Sequence, residues 1–426
     1  MSHLLVSSLS PPHRGYGQRL RFAGRCPNTA LGLMDSDAAP AADRTTMTTN
    51  VSPAPRDSHL PSLTGLRWIA AGTVFAFHLT TVGFFTGKAA TLLSGLAGAG
   101  ATGVSLFFML SGFVLAWTDA PGTGPLRFWR RRIARVVPLH LVTVALALVV
   151  AATLVPSIAT LSARALVANV LLVSAWHAPW WQAGNPVSWS LVCEAFFYAV
   201  FPFLMVPLRR APAWALWTVG ALALAAVLLV PTSLHLLPGD LSTDTWPPAR
   251  FPEFVLGVVG ACLVRSGAWR GPRLPVPLTL TVLGFAVANL LRSTPLALTG
   301  YTAIGFALLL PALARWDRER RPSVLASPLL VGLGERSFAF YLVHVLVLQS
   351  VLASLPAAAT RTAPENALVA AAAFVTALGL ASVLHVLIEV AARQVIAGSG
   401  RTGPQRRSRV GLAGRTDVPM PTTPTR

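Results

Sequence analysis

Apolar runs of roughly 18 residues or more recur between about residues 66 and 390, the length at which a helix crosses the hydrocarbon core of a bilayer. Only helices and closed barrels satisfy their backbone groups in lipid, and runs this long and continuous belong to helices. The charge content agrees: 12% of the residues are charged and 54% are hydrophobic, whereas an ordinary globular domain carries about 25% charged residues. So few ionisable groups cannot coat a water-soluble chain of 426 residues. The pattern excludes disorder over the bulk of the chain and argues against a soluble enzyme. The fold class expected is all-α, a polytopic membrane helical bundle of about ten transmembrane helices. They run near 66–85, 98–117, 136–155, 190–207, 213–231, 251–265, 276–291, 298–314, 338–354 and 367–390.

A formal net charge of +19 would ordinarily suggest nucleic acid. Here the basic residues, all arginine except Lys88, sit in short clusters between the apolar runs and form no continuous face. Alternate loops hold Arg127, Arg130, Arg131, Arg132 and Arg135, then Arg209 and Arg210, then Arg265, Arg270 and Arg273, then Arg315, Arg318, Arg320 and Arg321. The intervening loops hold one basic residue each: Lys88, Arg164, Arg250, Arg292 and Arg361. The positive-inside rule then places the clusters and both termini in the cytoplasm of a multi-pass plasma-membrane protein. The partner implied is lipid bilayer, not nucleic acid. No internal repeat is evident, which argues against a secondary transporter.

Residues 1–60 are rich in Ser, Pro, Ala, Asp and Thr, contain no apolar core of a signal peptide, and are expected to form a disordered cytoplasmic segment. Met34 and Met47 are read as candidate starts. Residues 61–392 form the membrane domain, and 393–426 are expected to be a disordered basic cytoplasmic tail. The chemistry is therefore sought among the spans. Cys26, Cys193 and Cys262 are too scattered for a disulfide framework or a zinc site, and no metal is expected.

A charge inside a bilayer costs several kcal/mol, so each one within a span is a functional candidate. Arg67 and His78 are eleven residues apart, which returns to the same helix face after about three turns and about 16 Å of rise. Arg67 then lies near the cytoplasmic boundary and His78 well inside. Ser190, Glu194 and Tyr198 recur every four residues on one face, and a buried carboxylate there needs a cation or donor, for which His78 or an arginine would serve. Arg250 and Glu253 read as an interfacial ion pair, while Ser337, Tyr341 and His344 share a face of the ninth span. His140, His385 and Glu389 read equally as packing residues. Positive-inside anchoring is the default explanation of the cluster around Arg132 and Arg135. The alternative is a grip on a phosphorylated donor, since guanidinium forks match phosphate.

Six blocks, in order, resemble the acyltransferase-3 family of integral membrane O-acyltransferases. They are Leu63-Thr64-Gly65-Leu66-Arg67 with His78; Gly103 to Phe113, read GVSLFFMLSGF; Arg131-Arg132-Ile133-Ala134-Arg135; Trp189-Ser190-Leu191-Val192-Cys193-Glu194; Phe251-Pro252-Glu253-Phe254; and Gly334 to His344, read GERSFAFYLVH. Two positions depart from the family pattern. Ala195 stands where a second acidic residue often follows the glutamate, and Glu389-Val390-Ala391 stands where glutamate–lysine–proline is usual.

The resemblance implies an acyl-CoA (acetyl-CoA) co-substrate with no permanently bound cofactor, a hydroxyl acceptor, and an essential first-span histidine. A hydroxyl is a poor nucleophile at neutral pH, so a positioned base must take its proton as it attacks the thioester. His78 is expected as that base, with Glu194 as its orienter. Arg67, Arg131, Arg132 and Arg135 are expected at the donor's phosphates. Ser111, Ser190, Tyr341, His344 and Glu253 are candidates for contacts to substrate or oxyanion. Direct transfer is expected, with Cys193 the one candidate for a covalent relay. The acceptor is a sugar, a cell-envelope polysaccharide or a macrolide-type metabolite; the short loops and the Arg-, Ala-, Gly- and Pro-rich composition of a high-GC bacterial chain suit the small metabolite. The rival class is a transporter or exporter of a lipid-linked or acylated compound.

Overall fold

Prolines start the helices of this chain as often as they bend them. A computed structural model describes residues 59–120, 122–158, 162–233 and 244–392. The two expected disordered segments, 1–60 and 393–426, lie outside the described residues apart from His59 and Leu60. The described chain is helical and contains no strand. Its helices are α1 (Pro61–Thr81), α2 (Gly87–Ala97), α3 (Thr102–Thr118), α4 (Pro125–Thr153), α5 (Ala163–Val170), α6 (Trp189–Leu208), α7 (Ala213–Ser233), α8 (Pro247–Arg265), α9 (Pro275–Leu290), α10 (Gly300–Arg318), α11 (Pro328–Ala353) and α12 (Ala363–Leu384). A π-helical turn, His385–Val390, continues α12. Pro61, Pro125, Pro247, Pro275 and Pro328 open their helices, where the missing N–H costs nothing. Thr362 and Glu365 close a capping box on α12.

Seven helical segments are long and apolar enough to cross a membrane: Gly87–Thr118, Pro125–Thr153, Trp189–Leu208, Ala213–Ser233, Pro247–Arg265, Pro328–Ala353 and Ala363–Val390. The sequence predicts about ten. Each of its ten segments is helical, but three fall short by length or polarity. Helix α9 has only 16 residues. Helix α1 carries Arg67, His78 and several hydroxyls, and α10 ends in Arg315-Trp316-Asp317-Arg318.

Two close crossings hold the bundle. At the first, α1 meets α11 and the turn before it: a Cβ on Gly334 would lie 1.9 Å from the Thr64 carbonyl oxygen, and one on Gly65 would lie equally close to that of Leu325, in the turn Val324–Ala326. The two helices run in the same direction, with Trp68 against Phe340 (5.1 Å between centroids) and His78 against His344 (4.9 Å). At the second crossing α3 meets α8, also in the same direction. Ser105 bonds Arg250 at one end, Gly257 presses on Met109 in the middle, and Arg265 donates to the Ala116 carbonyl at the other. Small residues permit such backbone approach, and in lipid this packing replaces the hydrophobic drive. Helix α8 is 78% buried over its apolar window, whereas α7 and Ala363–Val390 are 17% and 22% buried. The latter two form the rim.

One end of the bundle gathers the arginine-rich turns. Ser62 donates to Asp317 through its backbone and its hydroxyl (3.0 and 2.6 Å), Arg209 forks onto Asp119, and Arg318 reaches the Val264 carbonyl. At the other end Asn289 accepts from the Ala99 N–H and Arg292 donates to Ser94.

Candidate active site

Two polar centres lie along α1, at the two residues its spacing singles out. The lower one surrounds Arg67. A cavity of about 40 Å³ is lined by Arg67, Arg135, Glu194, Tyr198, Ser190 and Tyr341, among others. Glu194 accepts the Tyr198 hydroxyl one turn along α6 at 2.7 Å, and Tyr198 in turn shares a 3.3 Å bond with Ser111 of α3. The charges of Arg67, Arg132 and Arg135 all act on the Glu194 carboxylate. Pro202 deprives the Tyr198 carbonyl of its normal helical donor, and the Trp129 indole of α4 supplies the replacement at 3.0 Å. The carbonyl that Pro202 frees in α6 is thus what ties it to α4 beside the arginines.

The cluster in α4 divides. Arg135 lines the cavity and Arg132 stands beside it, its guanidinium 5.7 Å over the Phe128 ring. Arg131 is exposed and turned away, because neighbouring helical positions point about 100° apart. A contribution the sequence reading discounted comes from the far end of the chain. The His385–Glu389 pair is buried in the π-helical turn, with Nδ1 to Oε2 at 2.9 Å, and the Glu389 charge also acts on Arg67. Its sequence signals are an acidic residue in an apolar run and the departed family block Glu389-Val390-Ala391.

The upper centre is His78. Its Nδ1 lies 2.9 Å from the Val74 carbonyl and 3.1 Å from Nε2 of His344. His344 is buried, and its own Nδ1 lies 2.7 Å from the Tyr341 carbonyl. Phe340 stacks on the His344 ring at 5.8 Å and Phe75 flanks it at 6.2 Å. Glu194, expected to orient His78, is not bonded to it; its partner is Tyr198, and it sits at the level of Arg67. The eleven-residue rise that puts Arg67 and His78 on one face also keeps them about 16 Å apart, so one carboxylate cannot serve both.

The remaining candidates separate. Ser190 and Tyr341 line the cavity, each donating to the Val187 carbonyl at 3.2 Å. Glu253 does not line it. The Arg250–Glu253 pair, expected at an interface, is instead fully buried at 3.2 Å, where Arg250 also donates to Ser105 at 3.0 Å and covers Phe108 at 5.3 Å. It fastens α8 to α3, because the crossing of these helices carries both residues into the bundle centre. Cys193 is buried, with Sγ 3.4 Å from the Thr245 carbonyl. Among the described residues, no group of three or more His, Cys, Asp or Glu side chains is placed to hold a metal.

A helical membrane bundle with a cationic cavity and a histidine deep in its first helix belongs to a defined class. The Acyltransferase domain of the acyltransferase-3 family matches residues 60–386, and the chain belongs to that family. It is 40% identical over 312 residues to acyltransferase MdmB of Streptomyces mycarofaciens, covering 69% of this chain and 80% of that protein. It is 27% identical over 322 residues to O-acetyltransferase OatA of Staphylococcus aureus strain NCTC 8325, covering 67% of this chain but only 50% of OatA. No solved structure matches the chain. Family and apolar helices together make this a multi-pass membrane protein.

Proposed function

We propose that the protein is an integral-membrane O-acyltransferase that moves an acetyl or other short acyl group from acyl-CoA to a hydroxyl of a sugar, cell-envelope polysaccharide or macrolide-type metabolite. The observation that carries this reading is the division of α1 into a cationic end and a basic end. Arg67, with Arg135 and Arg132 beside it, offers guanidinium forks to the donor's phosphates. His78 offers an imidazole to the acceptor. The acceptor O–H proton passes to His78 as its oxygen attacks the thioester carbonyl; the C–S bond then breaks, and the leaving thiolate takes the proton back. Ester and free thiol result, and the base is regenerated. Glu194 serves the donor end, its charge set against those of Arg67, Arg132 and Arg135 around the cavity. Of the hydroxyls weighed for the oxyanion, Ser190 and Tyr341 line the Arg67 cavity; Tyr341, its ring 5.7 Å from that of His344, stands toward the His78 centre, and using it requires its bond to Val187 to switch.

Ligand pockets commonly measure about 300–1,000 Å³, so a cavity of about 40 Å³ widens when the donor enters. The same arrangement supports a ten-span, termini-inside topology. Parallel crossings of α1 with α11 and of α3 with α8 each fit an odd number of spans between the partners, seven and three in the ten-span reading. The arginine-rich turns gathered at one end fit the cytoplasmic side. The relative MdmB, an acyltransferase matched over 80% of its length, supports a compact acyltransferase.

The test is purified full-length protein with labelled acetyl-CoA and a panel of hydroxyl acceptors. Label transfer that disappears in His78→Ala, with helix content retained, supports the reading. Full transfer by that variant refutes His78 as base, and flux across vesicles without any transfer would favour a transporter instead.

A further inference from the structure

Hydrogen-bond accounting at the two histidines fixes where their protons sit. A carbonyl oxygen can only accept, so the 2.7 Å contact between His344 Nδ1 and the Tyr341 carbonyl puts a proton on that nitrogen. A neutral imidazole has one N–H, which leaves His344 Nε2 as a bare acceptor. That acceptor faces His78 Nδ1 at 3.1 Å, and the same Nδ1 lies 2.9 Å from the Val74 carbonyl. Both neighbours accept, so His78 Nδ1 carries the proton and shares it between them. His78 Nε2 then holds the lone pair and is the nitrogen able to take a proton from an acceptor.

We infer that His344 is a positioning residue for the transfer reaction, holding His78 in the tautomer whose Nε2 is the base and accepting from its Nδ1–H as the ring becomes imidazolium. The inference rests on the acyl-transfer reading and deepens it. The role is that of the carboxylate in a nucleophile–base–orienter set, here filled by a neutral ring. A neutral partner suits this place. His344 is 1% exposed among Phe75, Phe340 and Phe374, where an ionised carboxylate without a full set of donors would be costly. The geometry is imposed from both sides. Val74 lies one turn before His78 on α1, and Tyr341 lies one turn before His344 on α11, so each ring is anchored to its own helix. The crossing at Gly65 and Gly334 sets the distance between them. The packed phenylalanines hold the rings edge to face, 71° between planes.

The experiment uses full-length protein in nanodiscs: wild type, His344→Phe, His344→Gln and His78→Ala. His344→Phe keeps the ring volume and removes both nitrogens. We expect its kcat to fall about a hundredfold, within the range of about 10²–10⁴ for a lost acid–base function, with the KM for acetyl-CoA unchanged. His344→Gln places an amide oxygen near the position of Nε2 and should recover at least about tenfold of that loss. Nitrogen-15 spectra of histidine-labelled protein supply a readout that packing alone would not move. The His78 signal, assigned by its loss in His78→Ala, should report the Nδ1–H tautomer in wild type and shift toward Nε2–H in His344→Phe. A wild-type spectrum with His78 in the Nε2–H form overturns the inference without any variant having to fold. So does wild-type kcat in His344→Phe while His78→Ala is inactive. Full transfer by His78→Ala would fail the parent reading instead, and the two failures are therefore distinct.

Discussion

Adding one methyl group at the α1–α11 crossing should disable the enzyme without touching a polar residue. In Gly334→Ala the new Cβ would lie 1.9 Å from the Thr64 carbonyl oxygen, and atoms of this kind do not approach within 3.0 Å. Both sides of that contact are helix backbone, so side-chain rotation gives no relief. The helices must part by about 1.1 Å, the difference between those two distances. His344 lies ten residues further along α11, and a parting of this size carries its Nε2 from 3.1 Å to about 4 Å from His78 Nδ1, outside hydrogen-bond range. A displacement of about 1 Å can cost about a hundredfold in rate, and overpacking costs about 1–3 kcal/mol in stability. Gly72→Ala is the control: it lies on α1 between Arg67 and His78, and its Cβ would meet nothing within 4 Å. Initial rates of labelled acetyl transfer and thermal unfolding, measured on both variants in the same nanodiscs, separate the cases. We expect Gly334→Ala to lose both rate and stability and Gly72→Ala to keep both. Wild-type behaviour of Gly334→Ala would refute the crossing as the device that spaces the histidines. An equal loss in Gly72→Ala would show that α1 tolerates no change at all.

Arg132→Gln and Arg135→Gln should each raise the KM for acetyl-CoA about tenfold, equivalent to about 1.4 kcal/mol, with kcat little changed and the effect smaller at high salt. Turnover of a short thioester without phosphates should be unaffected; an equal rise in its KM would remove these arginines from the donor's phosphates. At the arginine-rich end, Asp119 holds Arg209 above its ordinary pKa through bonds of 2.6 and 2.8 Å. The Arg209 side chain is 32% exposed, so Asp119→Asn should lower stability by about 1 kcal/mol or less and leave transfer unchanged. A thermal shift much larger than that would mean the pair fastens α3 to α6.

Much of this was legible in the sequence because it depends on local periodicity. The apolar runs marked the helices, the spacing of Arg67 and His78 put them on one face of α1, and the four-residue repeat of Ser190, Glu194 and Tyr198 put a polar edge on α6. The family blocks led to the same residues. The pairing of His78 with His344 was not legible, because it joins positions 266 residues apart and depends on how closely α1 and α11 approach. Both glycines of that approach are visible in the sequence, but a glycine does not declare its partner. The expected pairing of Glu194 with His78 fails for a related reason: helix periodicity gives direction around an axis, whereas the level of one helix against another is set by packing. Arg250 looked interfacial because it stands near a span's start, and only the crossing of α3 and α8 carries it inside. The π-helical turn at His385–Val390, which buries Glu389 beside His385, has no periodic signature in an apolar run.

The prolines divide the site into a stiff part and a jointed one. Helices α1 and α11, which carry Arg67, His78 and His344, contain proline only at their first residue. Helix α4 is interrupted at Pro138, three residues beyond Arg135, and α6 at Pro202 and Pro207, beyond Glu194. Each interior proline removes a backbone hydrogen bond and lets a helix hinge. The Trp129–Tyr198 bond couples the two hinged helices, so they yield as one wall while the histidines keep their spacing. On the acyl-transfer reading, a cavity that must widen for the donor is walled by the jointed helices, while the proton arrangement about 16 Å away along α1 stays on the stiff ones.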